Sequence, residues 1–107
     1  MTLDPELAVP ALYGRCSVEV QRAAVARLGP QPIATFVQPV TGAGWRRVPS
    51  TYVRCTDDEA VPLAHQDAMA QRCATVLTLD TDHSPFASMP VATAELLVGV
   101  VEASNNG

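Results

Sequence analysis

The stretch that decides the fold runs from residue 48 to residue 85 and reads VPSTYVRCTDDEAVPLAHQDAMAQRCATVLTLDTDHSP. Residues 48–55 and 75–79 are rich in β-branched side chains, so each segment predicts a strand. Residues 62–72 lie between them and predict a helix. A strand, a helix and a second strand in this order require parallel pairing, with a right-handed crossover if the usual rule holds. A parallel sheet is normally covered by helices on both faces, which predicts an α/β fold.

Two strands are too few for a complete parallel sheet. The sequence therefore predicts the end of a larger α/β sheet, with two parallel strands and flanking helices. The last of these helices is apolar almost all round, which predicts burial on more than one side.

The other predicted elements are a short helix from Pro5 that Pro10 limits, a helix over residues 17–28, an irregular path over residues 31–45 and a closing helix over residues 90–103.

Composition excludes several classes of protein. A chain of 107 residues supports one domain at most. Its net charge of −4 argues against a nucleic-acid partner and against an anionic membrane surface, because both need a basic face. It has neither an apolar run near the ~20 residues of a membrane span nor the basic, apolar start of a signal peptide. Its three cysteines cannot all pair within one chain, so we expect a cytoplasmic protein.

Both predicted strands end in polar loops. Residues 57–59 follow the first strand, and residues 80–83 follow the second. Because parallel strands end at the same edge of a sheet, Asp58 and His83 can meet there although they are far apart in sequence. An aspartate that accepts from Nδ1–H of a histidine leaves Nε2 free to act as a base. The alternative interpretation is that the loop carboxylates are solvated and that His83 caps a turn.

The two loops resemble those of a known family. Residues 48–62 resemble the acid-bearing strand and loop of small α/β-hydrolases, and residues 82–86 (Asp-His-Ser-Pro-Phe) resemble the catalytic-histidine loop. The subgroup includes plant methyl esterases, hydroxynitrile lyases and bacterial carboxylesterase-like proteins. The resemblance implies that Asp58 is the triad acid, by its distance to Pro62, and that His83 is the general base. Asp57 is the alternative acid. The resemblance leaves open whether the chemistry is that of a hydrolase or of a lyase.

The resemblance extends to the domain organisation. Residues 3–6, 16–17 and 27–32 loosely resemble the end of the substrate-covering lid of the family. We therefore divide the chain into residues 1–47, a helical lid remnant with an irregular linker, and residues 48–107, the C-terminal strand-helix-strand-helix part of the core. The whole is predicted to be a C-terminal fragment of an α/β-hydrolase fold.

The expected nucleophile is missing. In the family a serine lies on a Gly-x-Ser-x-Gly elbow ahead of the acid and the histidine. The serines here are Ser17, Ser50, Ser84, Ser88 and Ser104, and none has glycines at those offsets. The resemblance implies a serine hydrolase of small esters or amides, and the missing elbow predicts that this chain is inactive or very weak alone, unless another polypeptide supplies the serine.

The sequence contains no motif for a metal or for a cofactor. The cysteines and histidines do not occur at zinc-ligand spacing, and the glycine pair in residues 42–44 is not a dinucleotide fingerprint. We therefore predict no metal and no cofactor. The alternative function is a non-catalytic interaction module whose open sheet edge pairs with a second copy or with a partner, so a homo-oligomer or a complementing polypeptide is expected.

Overall fold

The computed structural model describes residues 1–106, so the last residue of the predicted core segment, residue 107, lies outside the described part. Its centre is a sheet of two parallel strands, β1 (Thr51–Cys55) and β2 (Thr75–Leu79). The strands pair in register along their whole length, from Thr51 opposite Thr75 to Cys55 opposite Leu79. The predicted parallel pairing and the partial α/β fold are confirmed.

Residues 1–106 contain six α-helices. Between the strands, the crossover helix packs on β1 and buries Gln66 and Ala70. The first two helices contact each other, as do the last two. The helices are α1 (Pro5–Tyr13), α2 (Val18–Ala26), α3 (Ala34–Val37), α4 (Leu63–Ala70), α5 (Pro85–Ser88) and α6 (Pro90–Asn106), and a short 3₁₀ turn spans Gly44–Arg46.

Two local signals set the first helices. The Asp4 side chain accepts from Glu6 N–H at 2.9 Å, and Pro5 occupies the first helical position, as its fixed φ favours. Helix α1 is short, as predicted, but it continues through Pro10 and ends at Tyr13, with Gly14 as its C-cap. Both Pro10 and Glu6, whose carbonyl loses its helical donor, are exposed, so water can replace the missing bond. Ser17 caps α2 by accepting from Val20 N–H.

The segment between α2 and β1 is irregular but contains more helix than its prolines indicate. Pro32 O accepts from the N–H of Thr35, and α3 forms where an extended path was expected. This segment is exposed almost throughout.

The sheet and the last helix leave apolar surface uncovered. Val76 on β2 is 45% exposed, and along α6 several apolar side chains are more than half exposed. Within residues 1–106, the prediction that α6 is buried on more than one side is therefore wrong. Its exposed side chains are Val91, Leu97, Val98 and Val101. None of the described helices is long and apolar enough to cross a lipid bilayer.

Candidate functional site

Asp58 and His83 lie together at the carboxyl edge of the sheet. His83 Nδ1 is 2.8 Å from Asp58 Oδ2, although the residues are 25 positions apart in the chain. The carboxylate side chain is 6% exposed, and the imidazole is 39% exposed. The residues come from the loops that follow β1 and β2, and the parallel register brings those loops to one edge. The acid is thus enclosed while part of the histidine ring remains open to solvent.

The loop after β1 fixes the orientation of the acid. Asp58 Oδ1 accepts from the backbone N–H groups of Ala60 and Val61, both at 2.8 Å. These bonds hold one oxygen in a tight turn and direct the other, Oδ2, at the histidine. A carboxylate in this position holds Nδ1 protonated, which leaves Nε2 as the acceptor. Among residues 1–106, Nε2 of His83 has no hydrogen-bond partner.

The alternative acid, Asp57, lies elsewhere. Its Oδ2 accepts from Nε of Arg15 at 2.8 Å, and it makes no bond to His83. Arg15 also donates from Nη1 to the backbone oxygen of Asp80 at 2.9 Å. Arg15 therefore joins the loops after both strands, and of the two adjacent aspartates only Asp58 faces the imidazole.

A buried polar cluster lies beside His83, and the sequence analysis did not find it. Asp82 is 1% exposed and Ser84 is 2% exposed. Asp82 accepts from Ser84 N–H, from Ser88 Oγ and from the backbone N–H of Arg15, each at 2.9 Å. Its position immediately before a candidate histidine was a possible signal, but no periodicity distinguishes a buried loop aspartate from a solvated one.

Charge in this cluster is stabilised by hydrogen bonds. Burial alone raises the pKa of Asp82, but the donors from Arg15, Ser84 and Ser88 outweigh it and hold the pKa below its usual value. Cys16 Sγ lies 3.5 Å from Asp82 Oδ2, and burial together with that negative charge raises the pKa of the thiol to about 11. Asp80 has a lowered pKa because Thr56 Oγ1 donates to it and Arg15 lies beside it.

Gln66 also escaped the sequence analysis. It is 2% exposed, and its side-chain amide bonds both backbone polar groups of Cys55, where β1 ends and the acid loop begins. Nothing in the sequence distinguishes it from the exposed glutamine at position 71. No group of three or more His, Cys, Asp or Glu side chains that could hold a metal ion occurs in the described residues.

Two parallel strands joined through a helix, with further helices, match the part of an α/β-hydrolase fold that the sequence predicted, and comparisons with known proteins agree on this fold. The model of the alpha/beta hydrolase family matches residues 2–96. The alpha/beta hydrolase nvfD of Aspergillus novofumigatus is 36% identical over 91 residues, which cover 82% of this chain and 36% of that protein. This chain belongs to the α/β-hydrolase family, and the resemblance on which the sequence analysis relied is confirmed.

Solved structures share the fold. The crystal structure of polyneuridine aldehyde esterase superposes with a TM-score of 0.77 at 21% identity, covering 92% of this chain and 42% of that one. A mutant of the same esterase superposes with a TM-score of 0.81 at 19% identity, covering 94% and 42%. At this identity the likeness establishes the fold alone. The chain spans only about two fifths of the length of these relatives.

Proposed function

We propose that this chain is the C-terminal portion of a serine hydrolase of small esters or amides, in which Asp58 is the triad acid and His83 the general base. One observation carries the proposal: Nδ1 of a half-open histidine lies 2.8 Å from a carboxylate whose other oxygen is held by two backbone N–H groups. Family membership and the esterase fold of the solved relatives support it.

The roles follow from the orientation of the ring. Nε2 of His83 takes the proton of the serine hydroxyl as its oxygen attacks the substrate carbonyl, and the C–O or C–N bond to the leaving group then breaks as Nε2 returns the proton to that group. Asp58 accepts from Nδ1–H throughout, holds the tautomer and stabilises the imidazolium. Water repeats the sequence to release the acid.

The nucleophile is the part that this chain must receive from elsewhere. None of its five serines lies on a Gly-x-Ser-x-Gly elbow. We propose that a polypeptide carrying the earlier strands of the fold supplies the serine and the oxyanion hole, and that this chain alone is inactive or very weak. Its coverage of about two fifths of the known relatives is consistent with this.

The test measures hydrolysis of p-nitrophenyl esters by this chain alone and by this chain joined to the polypeptide encoded directly upstream of it. We expect turnover only from the joined protein, and a loss on the order of 10³-fold or more on His83→Ala. His65→Ala is the matched control, since His65 is the other histidine and is exposed on α4. Strong hydrolysis by the chain alone, or an active His83→Ala variant, contradicts the proposal.

A second candidate function rests on the uncovered apolar surface. β2 and α6 expose Val76, Leu97 and Val98 to 45–56%. Exposed apolar groups and open strand edges both favour association with a second copy or with a complementing polypeptide. Sedimentation of the purified chain tests this second function: a compact monomer at high concentration counts against the interaction module, and a stable dimer favours it.

A further inference from the structure

The buried carboxylate of Asp82 joins two separate parts of the chain. Oδ2 accepts from the backbone N–H of Arg15 at 2.9 Å and from the Cys16 thiol at 3.5 Å, in the corner between α1 and α2. Oδ1 accepts from Ser84 N–H and from Ser88 Oγ, both at 2.9 Å, at the start and end of α5. Each carboxylate oxygen of Asp82 is thus bonded by one of these two segments.

This arrangement needs a carboxylate. A buried charge is unfavourable unless several donors satisfy it, and Asp82 has four. An asparagine at this position has one oxygen and one NH₂ group. It can accept from the α5 side or from the Arg15 side, but its NH₂ group then faces donors on the opposite side.

Both bonded segments bear on the placement of His83. The bond from Ser84 N–H back to Asp82 Oδ1 spans His83, so the backbone on either side of the histidine is fixed by one side chain. The bond from Arg15 ties the same carboxylate to the segment that also contacts Asp57, beside the acid. The position of the imidazole relative to Asp58 therefore depends on two elements far apart in sequence.

We infer that Asp82 is a positioning residue, whose buried carboxylate, bonded by the α1–α2 corner on one oxygen and by α5 on the other, holds the loop that presents His83 to Asp58. The inference rests on the proposed function. It assigns Asp82 no contact with substrate: its effect passes through the geometry of His83.

The experiment is an NMR study of the ¹⁵N-labelled full chain at alkaline pH. The ¹⁵N chemical shifts of the ring report which nitrogen of His83 carries the proton. A downfield ¹H signal reports the hydrogen bond that Nδ1–H donates to Asp58. We expect the Nδ1–H tautomer in the unmodified chain and its loss in Asp58→Asn. We expect the same loss, in part or in full, in Asp82→Asn.

Ser88→Ala is the second variant, because it removes one donor to Asp82 without changing any charge. It is expected to weaken the downfield signal, whereas the matched Ser104→Ala, at an exposed position of α6, leaves the signal unchanged. The ring signals of His65 are the internal reference and stay constant. If Asp82→Asn loses its helical circular dichroism signal, that variant is unfolded, and the result for Ser88→Ala alone decides whether Asp82 positions His83.

Two failures are distinguishable. If Asp58→Asn leaves the tautomer of His83 unchanged, or the unmodified chain has no Nδ1–H signal, the proposed function fails and the inference fails with it. If Asp58→Asn changes the tautomer while folded Asp82→Asn or Ser88→Ala keeps the signal of the unmodified chain, the proposed function stands and the positioning role is overturned.

Discussion

Gln66 serves Cys55 as a neighbouring strand would. Cys55 N–H donates to Oε1 of Gln66 at 2.8 Å, and Cys55 O accepts from Nε2 at the same distance. Nε2 also donates to Val61 O at 3.0 Å, just beyond Asp58. One buried amide on α4 therefore completes the end of β1 and holds both ends of the loop that carries the candidate acid.

Gln66→Ala is expected to destabilise the chain. The change leaves the buried N–H and C=O of Cys55 without partners, and each such group costs about 1 to 3 kcal/mol, so we expect a loss of about 2 to 6 kcal/mol. Urea unfolding followed by circular dichroism measures it. Gln71→Ala, at the exposed end of the same helix, is the control and should stay close to the unmodified chain. Equal stability of the two variants contradicts the role of the amide.

Asp58→Asn is expected to abolish most of the activity of the joined hydrolase. The amide can donate to the imidazole and so favours the wrong tautomer, and the comparable change in a serine-protease triad lowers kcat about 10⁴-fold. Asp57→Asn is the matched control, because Asp57 contacts Arg15 and not the ring. Steady-state kinetics on p-nitrophenyl esters measure both. An Asp57→Asn variant with the larger loss would assign the acid to Asp57 instead.

Acid is expected to destabilise the chain through Asp82. Its pKa is lowered in the folded state, so its stabilising contribution is complete above the unfolded value of about 3.9 and is lost as pH falls through the folded pKa. Urea unfolding at several pH values should therefore show a steep loss below about pH 4. The stability gap between the unmodified chain and Asp82→Asn should narrow over that range.

Glu102→Gln, on the exposed end of α6, is the control for this titration and should follow the unmodified chain. The lowered pKa of Asp80 leaves some acid sensitivity in Asp82→Asn itself. A gap between Asp82→Asn and the unmodified chain that stays constant from neutral pH to pH 3 would contradict the stabilised charge.

Cys16 is expected to react slowly with alkylating reagents. With a pKa of about 11, little of the thiol is ionised near pH 8. We expect iodoacetamide to modify it about one to two orders of magnitude more slowly in the folded chain than in the urea-unfolded chain. Peptide mass spectrometry follows the rate, and Asp82→Asn should increase it by removing the adjacent charge. Equal rates in folded and unfolded chains count against the thiol–Asp82 contact.

The sequence predicted the parts of the fold that follow from local residue patterns and from the order of the elements. β-Branched residues marked β1 and β2, and the helix between them required parallel pairing, which in turn brought Asp58 and His83 to one edge. This reasoning needs only topology and the position of polar residues at strand ends.

The sequence could not predict contacts that depend on tertiary packing. Asp82 and Gln66 look like ordinary loop and helix residues, and only the approach of Arg15 and of Cys55 shows that they are buried and fully bonded. The continuation of α1 past Pro10 depends likewise on an exposed carbonyl that water can satisfy. Local propensity contains no information on either.

The enclosed Asp58 carboxylate sets a geometric condition for any reconstitution of the proposed hydrolase from two chains. Both oxygens of Asp58 and one ring nitrogen of His83 are already occupied, so the half that carries the hydroxyl has a single atom to reach, Nε2. Reconstitution can then be screened by varying linker length alone. The turnover rate measures how accurately the two halves dock.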